Sequence, residues 1–311
     1  MKILTIDGGG IRGVYPAHIL SRINEELGIN FSEYFDLIVG TSTGAIIAAA
    51  LSIDYPVSKI VKLYKEKGDE IFRKNKFGAF GFLAAKYDNR SLIKELKATF
   101  GDKTLSDTST RLMIPATDIG NGQVYVFKSN YLDEFVRDKN TKILDAVLAS
   151  CSAPAFFKPH LVKDYLLADG GLWANNPSLA ALIETAGKLN GSLQDIKMLS
   201  IGTGIGNRYY SVSKPNRLWG LVTGWKGKKL IDMILNLQSK SAQNMVGLML
   251  NRNQYLRINF EKEKPLSLDD IRSVSDLISV ADHDFTYNYN NIKDFLETSK
   301  HQITRNNETS N

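Results

Sequence analysis

Gly40-Thr41-Ser42-Thr43-Gly44 reads G-x-S-x-G and lies between a strand-like run, "FDLIV", and a helix-like run, "AIIAAAL". That context suits a nucleophile elbow, a sharp strand-to-helix turn that presents a serine hydroxyl at the carboxyl edge of a sheet. Gly40 and Gly44 flank the serine because neighbouring backbone in such a turn leaves little room for a Cβ. The positive end of the following helix would stabilise an oxyanion beside Ser42. A serine that simply caps its helix is the alternative. An acyl-transfer serine also needs a proton acceptor and N–H donors for the developing oxyanion.

Donors are available in "ILTIDGGGIRG", where a short apolar strand runs into Gly8, Gly9 and Gly10, with Arg12 and Gly13 adjoining. Lacking side chains, the three glycines can turn successive N–H groups toward one oxygen. Gly8, Gly10 and Gly13 also match G-x-G-x-x-G, so a nicotinamide-dinucleotide-binding oxidoreductase is a competing reading. That fingerprint demands an acidic residue about 20 positions on, at the end of the second strand. Here the second strand runs into the serine motif instead. Arg12 is expected to order the loop or meet a substrate phosphate, unless it is only a solvated residue of the first helical turn.

The proton acceptor is less obvious. Of His18, His160, His283 and His301, only His283 keeps the order serine, acid, histidine. Asp169, in "YLLADGGLWANNP", closes an apolar strand with Gly170 and Gly171 behind it. A carboxylate serves a serine as base only if burial raises its pKa. From the residues alone, Asp169 as base and Asp169 as a turn former remain open.

The elements that must position these groups alternate. Strand-like "KILTID", "FDLIV", "RLMIPATD", "QVYVFK", "YLLAD", "IKMLSIG" and "QYLRINF" are interleaved with amphipathic segments such as "VYPAHILSRINEEL" and "PSLAALIETAGKL". Alternation argues for an α/β protein with a mainly parallel sheet and helices on both faces. No repeat or linker divides the chain, so residues 1–300 are read as one domain and 301–311 as a polar, disordered tail. Hydrophobic residues make up 43% of the 311, enough for a globular core that encloses a site.

A charge of +6 favours anionic surfaces or ligands. Cys151 is the only cysteine, and no Cys/His cluster has metal-site spacing, so neither a disulfide nor a metal is expected, and a reducing cytoplasm fits. Met1 and Lys2 run directly into a strand, so no signal peptide is expected, and the run "AIIAAALSI" is far short of the ~18 residues of a spanning helix. Residues 72–87, "FRKNKFGAFGFLAAKY", suit a flap over an apolar cleft or an ordinary packed connection. Residues 230–250 form a helix whose Leu/Ile/Met face is expected to pack in the core rather than on a partner or membrane.

"IDGGGIRG", "GTSTG" and "ADGG" together resemble the three motifs of the patatin-like phospholipases, and "SCSAPAFFKP", "MLSIGTG" and "NQYLRINF" resemble further blocks in the same order. The resemblance implies a three-layer α/β/α sandwich. It also implies a Ser42/Asp169 dyad, an oxyanion hole at Gly8, Gly9 and Gly10, and hydrolysis of lipid acyl esters without a cofactor. Gly13, Gly40, Gly44, Gly170 and Gly171 match motif positions around that site. Some bacterial members are antiviral effectors that a cyclic dinucleotide switches on to degrade the inner membrane. The expected partners are therefore membrane phospholipid, a cyclic dinucleotide activator and a second copy of the chain, with no DNA or RNA. No quoted motif reads the nucleotide; the basic and aromatic residues of 72–87 or 213–229 are candidates. A non-catalytic storage protein on the same fold is the remaining alternative.

Overall fold

The computed structural model describes residues 1–71, 85–207, 209–210, 218–220, 223–263 and 266–308. Its strands are β1 (Lys2–Ile6), β2 (Leu37–Gly40), β3 (Arg111–Asp118), β4 (Gln123–Lys128), β5 (His160–Val162), β6 (Tyr165–Asp169), β7 (Lys197–Ile201), β8 (Ile205–Gly206), β9 (Tyr255–Ile258) and β10 (Glu261–Lys262). The helices are α1 (Val14–Leu27), α2 (Phe31–Tyr34), α3 (Thr43–Ser52), α4 (Val57–Ile71), α5 (Arg90–Phe100), α6 (Ile143–Ser150), α7 (Gly171–Ala174), α8 (Ser178–Gly187), α9 (Lys228–Met249) and α10 (Val274–Glu308). Each strand-like run of the sequence forms a strand. The three-residue β5 and two-residue β8 and β10 are too short to leave a hydropathy pattern.

The main sheet has the order β5-β6-β3-β2-β1-β7-β9, with β4 on the other edge of β3. From β3 to β9 the strands are parallel, and β4, β5 and β6 add antiparallel pairs. Side chains alternate across the sheet as the two-residue period requires. Leu4, Ile6, Ile38, Leu112 and Ile114 pack on one side with α1, α3 and α6, while Ile3, Leu37, Val39 and Met113 pack on the other with Ala181, Leu182 and Val246. The result is a three-layer α/β/α sandwich.

Two topological features make a site. First, β2 and β7 flank β1, so the chain leaves the β1 edge in opposite directions and opens a crevice beyond its carboxyl end. Ile6 lies beside both Gly40 and Ile201, which puts the loops that follow β1, β2 and β7 at one edge.

Second, β3 carries two strands end to end along one edge. Val39 of β2 pairs with Met113 and Asp169 of β6 pairs with Ala116, while β4 occupies the opposite edge from Met113 to Asp118. Parallel β2 and antiparallel β6 therefore point their carboxyl ends at each other across Ile114 and Pro115. Proline has no N–H for a ladder, and it stands where the partner strand changes.

α3 is buried along its whole length, as its all-round apolar sequence "TGAIIAAALS" requires. α10 packs along α1 and extends to Glu308, into the segment expected as a tail; residues 309–311 lie outside the described residues. Of the expected flap, 72–84 lies outside them too. Among the described residues no helix is long and apolar enough to cross a membrane.

Candidate active site

Ser42 sits between β2 and α3 with φ 55° and ψ −123°, a strained backbone for a non-glycine residue. Packing imposes it. A Cβ on Gly40 would lie 2.1 Å from the Gly44 carbonyl oxygen, and one on Gly44 would lie 2.3 Å from that of Ile6, so the strand, the turn and α3 interlock only with glycine at both places. The elbow is tied down further by Ser150, at the end of α6. Its hydroxyl accepts the Ser42 N–H at 2.9 Å and donates to the Pro115 carbonyl at 2.6 Å.

From this turn the Ser42 hydroxyl donates to Asp169 Oδ2 at 2.7 Å. The other carboxylate oxygen accepts the Gly171 N–H at 2.6 Å. Asp169 is 6% exposed, and burial pushes its pKa from 3.8 up to about 6, against the pull of the Ser42 hydroxyl and the Gly171 amide. Such a carboxylate is ionised at neutral pH yet basic enough to take a proton from a hydroxyl that it already holds. Gly170 lets the chain turn past Pro115, whose carbonyl oxygen would be 2.2 Å from a Cβ there.

The histidines are elsewhere. His18 pairs with Asp282, His160 with Asp145 and His283 with Asp284, whereas the side chain of His301 lies outside the described residues.

The glycine loop reaches the same point with one correction to the sequence expectation. Gly8 does not offer a donor, because its N–H is given to the Asn175 carbonyl at 2.9 Å. Gly8 instead provides space, since a Cβ there would meet the Asn175 side chain at 2.6 Å and Ser42 Cβ at 3.2 Å. Gly9 and Gly10 line the cavity beside Ser42, and among the described residues their N–H groups have no acceptor. Gly10 has φ +58°, and a Cβ on it would lie 2.2 Å from the Leu268 carbonyl oxygen.

Arg12 orders this loop, donating through Nε to Gly9 O at 3.2 Å and through Nη1 to Gly204 O at 3.3 Å. Gly13 gives room to the hydrogen-bonded hydroxyls of Thr43 and Tyr64. Beneath the loop, Asp7 and Arg257 form a buried two-pronged ion pair, with Nη1 to Oδ1 at 2.8 Å and Nη2 to Oδ2 at 2.5 Å. The partners are 250 residues apart, and only the placement of Asp7 before the glycines hints at the pair.

Ser42, Asp169, Gly9 and Gly10 form the polar part of the lining of a cleft. Its walls are apolar, from Ile46 of α3, Leu63 and Ile71 of α4, Leu92 of α5, Phe156, Phe157, and Ile231 and Leu235 of α9. Cys151 lines it as well, and burial, then the charge of Asp169, push its thiol well above the ordinary value, so it stays protonated. A serine and a carboxylate set among apolar walls suit a ligand with an acyl chain and a polar ester. Among the described residues no cluster of His, Cys, Asp and Glu is disposed to hold a metal ion.

Residues 4–182 match the family model for patatin-like phospholipases. The chain is 32% identical over 285 residues to a cGAMP-activated phospholipase of Pseudomonas aeruginosa, covering 90% of this chain and 83% of that one. It is 31% identical over 282 residues to a cUMP-AMP-activated phospholipase of Escherichia coli, covering 87% and 84%. With Patatin-like protein 2 of Arabidopsis thaliana it shares 30% over 298 residues, covering 81% and 71%. The nicotinamide-binding alternative finds no support in these likenesses, and the chain belongs to the patatin-like phospholipase family, hydrolases of lipid esters.

Proposed function

We propose that this protein cleaves acyl esters of membrane phospholipids through Ser42 and Asp169, and that a cyclic dinucleotide switches it on. One observation carries the catalytic reading: the 2.7 Å hydrogen bond from Ser42 Oγ to a buried carboxylate, in the wall of an apolar cleft. Ser42 Oγ attacks the ester carbonyl as its proton passes to Asp169 Oδ2. Negative charge collects on the carbonyl oxygen, which the N–H groups of Gly9 and Gly10 and the start of α3 stabilise. The tetrahedral adduct collapses, Asp169 returns the proton to the departing lysolipid oxygen, and the acyl group stays on Ser42. Water then attacks the acyl-serine while Asp169 takes its proton, and transfer of that proton to Ser42 Oγ releases the fatty acid and restores the dyad.

Activation rests on the relatives, two of which are named for the cyclic dinucleotides that activate them. An enzyme of this kind would act from the cytoplasm on the inner membrane and remove the host cell during viral infection. Fatty-acid release from phospholipid vesicles, measured alone and with a panel of cyclic dinucleotides, tests both parts. The reading predicts slow basal release and at least a tenfold rise with one panel member. No release under any condition overturns the hydrolase reading, and release that no panel member alters overturns the activation.

A further inference from the structure

The helix α9 has three faces. At 100° per residue, Ile231 and Leu235 share a face, and both line the acyl cavity. Asp232, Asn236 and Ser239 share the next face and line a small polar cavity behind Arg12. The third face carries Ile234, Leu237, Met245 and Leu248, exposed by 45%, 55%, 48% and 88%. The sequence expectation that this helix packs in the core holds for Ala242, Val246 and Leu250, and the third face departs from it.

Ahead of α9, the rings of Tyr210, Trp219 and Trp225 cluster with centroids 5.2 to 5.7 Å apart, and Leu218 beside them is 80% exposed. Lys229 Nζ stands 5.0 Å from the Tyr210 centroid. Across residues 226–240 the sequence has four lysines and one aspartate.

Resting on the lipid-hydrolase reading, we infer that this outer face of α9, with Leu218, Trp219 and Trp225, is the surface by which the protein sits on an anionic phospholipid bilayer. Indole and phenol rings with lysines beside an apolar helical stripe are the composition of an in-plane membrane contact. Positive charge complements anionic headgroups. The surface is also continuous with the site: the helix that exposes Ile234 and Leu237 turns the half-buried Ile231 and Leu235 into the cavity, and Leu172, 39% exposed, lines the same cavity. A lipid withdrawn from the bilayer needs only to pass this rim to bring its ester to Ser42.

Binding is measured by co-sedimentation with phosphatidylethanolamine/phosphatidylglycerol vesicles in a Ser42→Ala background, so that no lipid is consumed. The expected result is binding that weakens at least tenfold in Leu237→Glu and in Leu218→Asp, and that weakens when phosphatidylcholine replaces the mixture. In proteins with Ser42 intact, the same changes slow vesicle hydrolysis at least tenfold and leave a water-soluble short-chain ester unaffected. Unchanged vesicle binding in both variants overturns the inference. So does a change in oligomeric mass, by light scattering, with vesicle binding unaltered, which assigns the face to a second copy.

If either variant misfolds, quenching of wild-type tryptophan fluorescence by brominated acyl chains, abolished in Trp219→Phe/Trp225→Phe, supports the contact, and its absence overturns it. Vesicle binding through Leu237 by a protein that hydrolyses no ester would sink the hydrolase reading and leave this surface standing.

Discussion

Ser150 holds Ser42 in place: its hydroxyl accepts the Ser42 N–H and donates to Pro115, joining the strained elbow to β3 at the gap between β2 and β6. Ser150 is fully enclosed; its contact with Pro115 is buried and that with Ser42 partly so. Replacement by alanine leaves the Ser42 N–H and the Pro115 carbonyl without this partner, and a buried orphan group costs about 1–3 kcal/mol. Ser150→Ala is expected to lose stability of that order in denaturant melts and to drop kcat roughly tenfold, with a smaller change in KM.

The acid limb of the pH profile reports Asp169. As base it must be ionised, so kcat/KM for a soluble ester rises with pH and levels off above about 6. Stability runs the other way. The folded protein holds this proton more tightly than the unfolded chain, whose value is near 3.8, so the contribution is complete below that pH and is lost as pH rises to about 6. The gap corresponds to roughly 3 kcal/mol. Asp169→Asn is therefore expected to melt higher than wild type at pH 8, with the advantage shrinking toward pH 4, in thermal scans across that range.

Gly10→Ala places a methyl group against the Leu268 carbonyl and forces a left-handed backbone on alanine. Loss of one oxyanion donor costs roughly 10² to 10³ in kcat. A fall of that size is expected with far-ultraviolet circular dichroism unchanged. Gly8→Ala is expected to impair activity by crowding Asn175 and Ser42 rather than by removing a donor.

Asp7 and Arg257 are 3% and 8% exposed at their side chains, so each depends on the other. Arg257→Met leaves a buried carboxylate unpaired and is expected to cost about 3–5 kcal/mol in urea unfolding. Arg257→Lys restores charge without the fork and should recover only part of it.

Much of this was legible in the chain. Glycines on both sides of Ser42, and a strand ending at Asp169, announce sheet-edge turns because only close backbone approach demands that spacing. The alternation of apolar runs gave the layers. What stayed hidden depends on contacts across long separations. Ser150 in "SCSAP" reads as an ordinary helix end, and nothing local shows that Pro115 marks the place where β3 exchanges one partner strand for another. The glycine run could not reveal that Gly8 gives its N–H to Asn175, because that contact exists only once α7 folds against the loop. The mixed faces of α9 were missed because its apolar positions are read as one set until the cavity separates them.

The central claim is that Ser42 is acylated with Asp169 as its base. Intact-protein and peptide mass spectrometry after treatment with a fluorophosphonate, run beside ester hydrolysis, tests it most directly. One adduct on Ser42 is expected, absent from Ser42→Ala and formed at least about a thousandfold more slowly in Asp169→Asn, with hydrolysis falling in parallel. An adduct on another residue, or folded Asp169→Asn protein that labels and hydrolyses at the wild-type rate, would contradict the dyad.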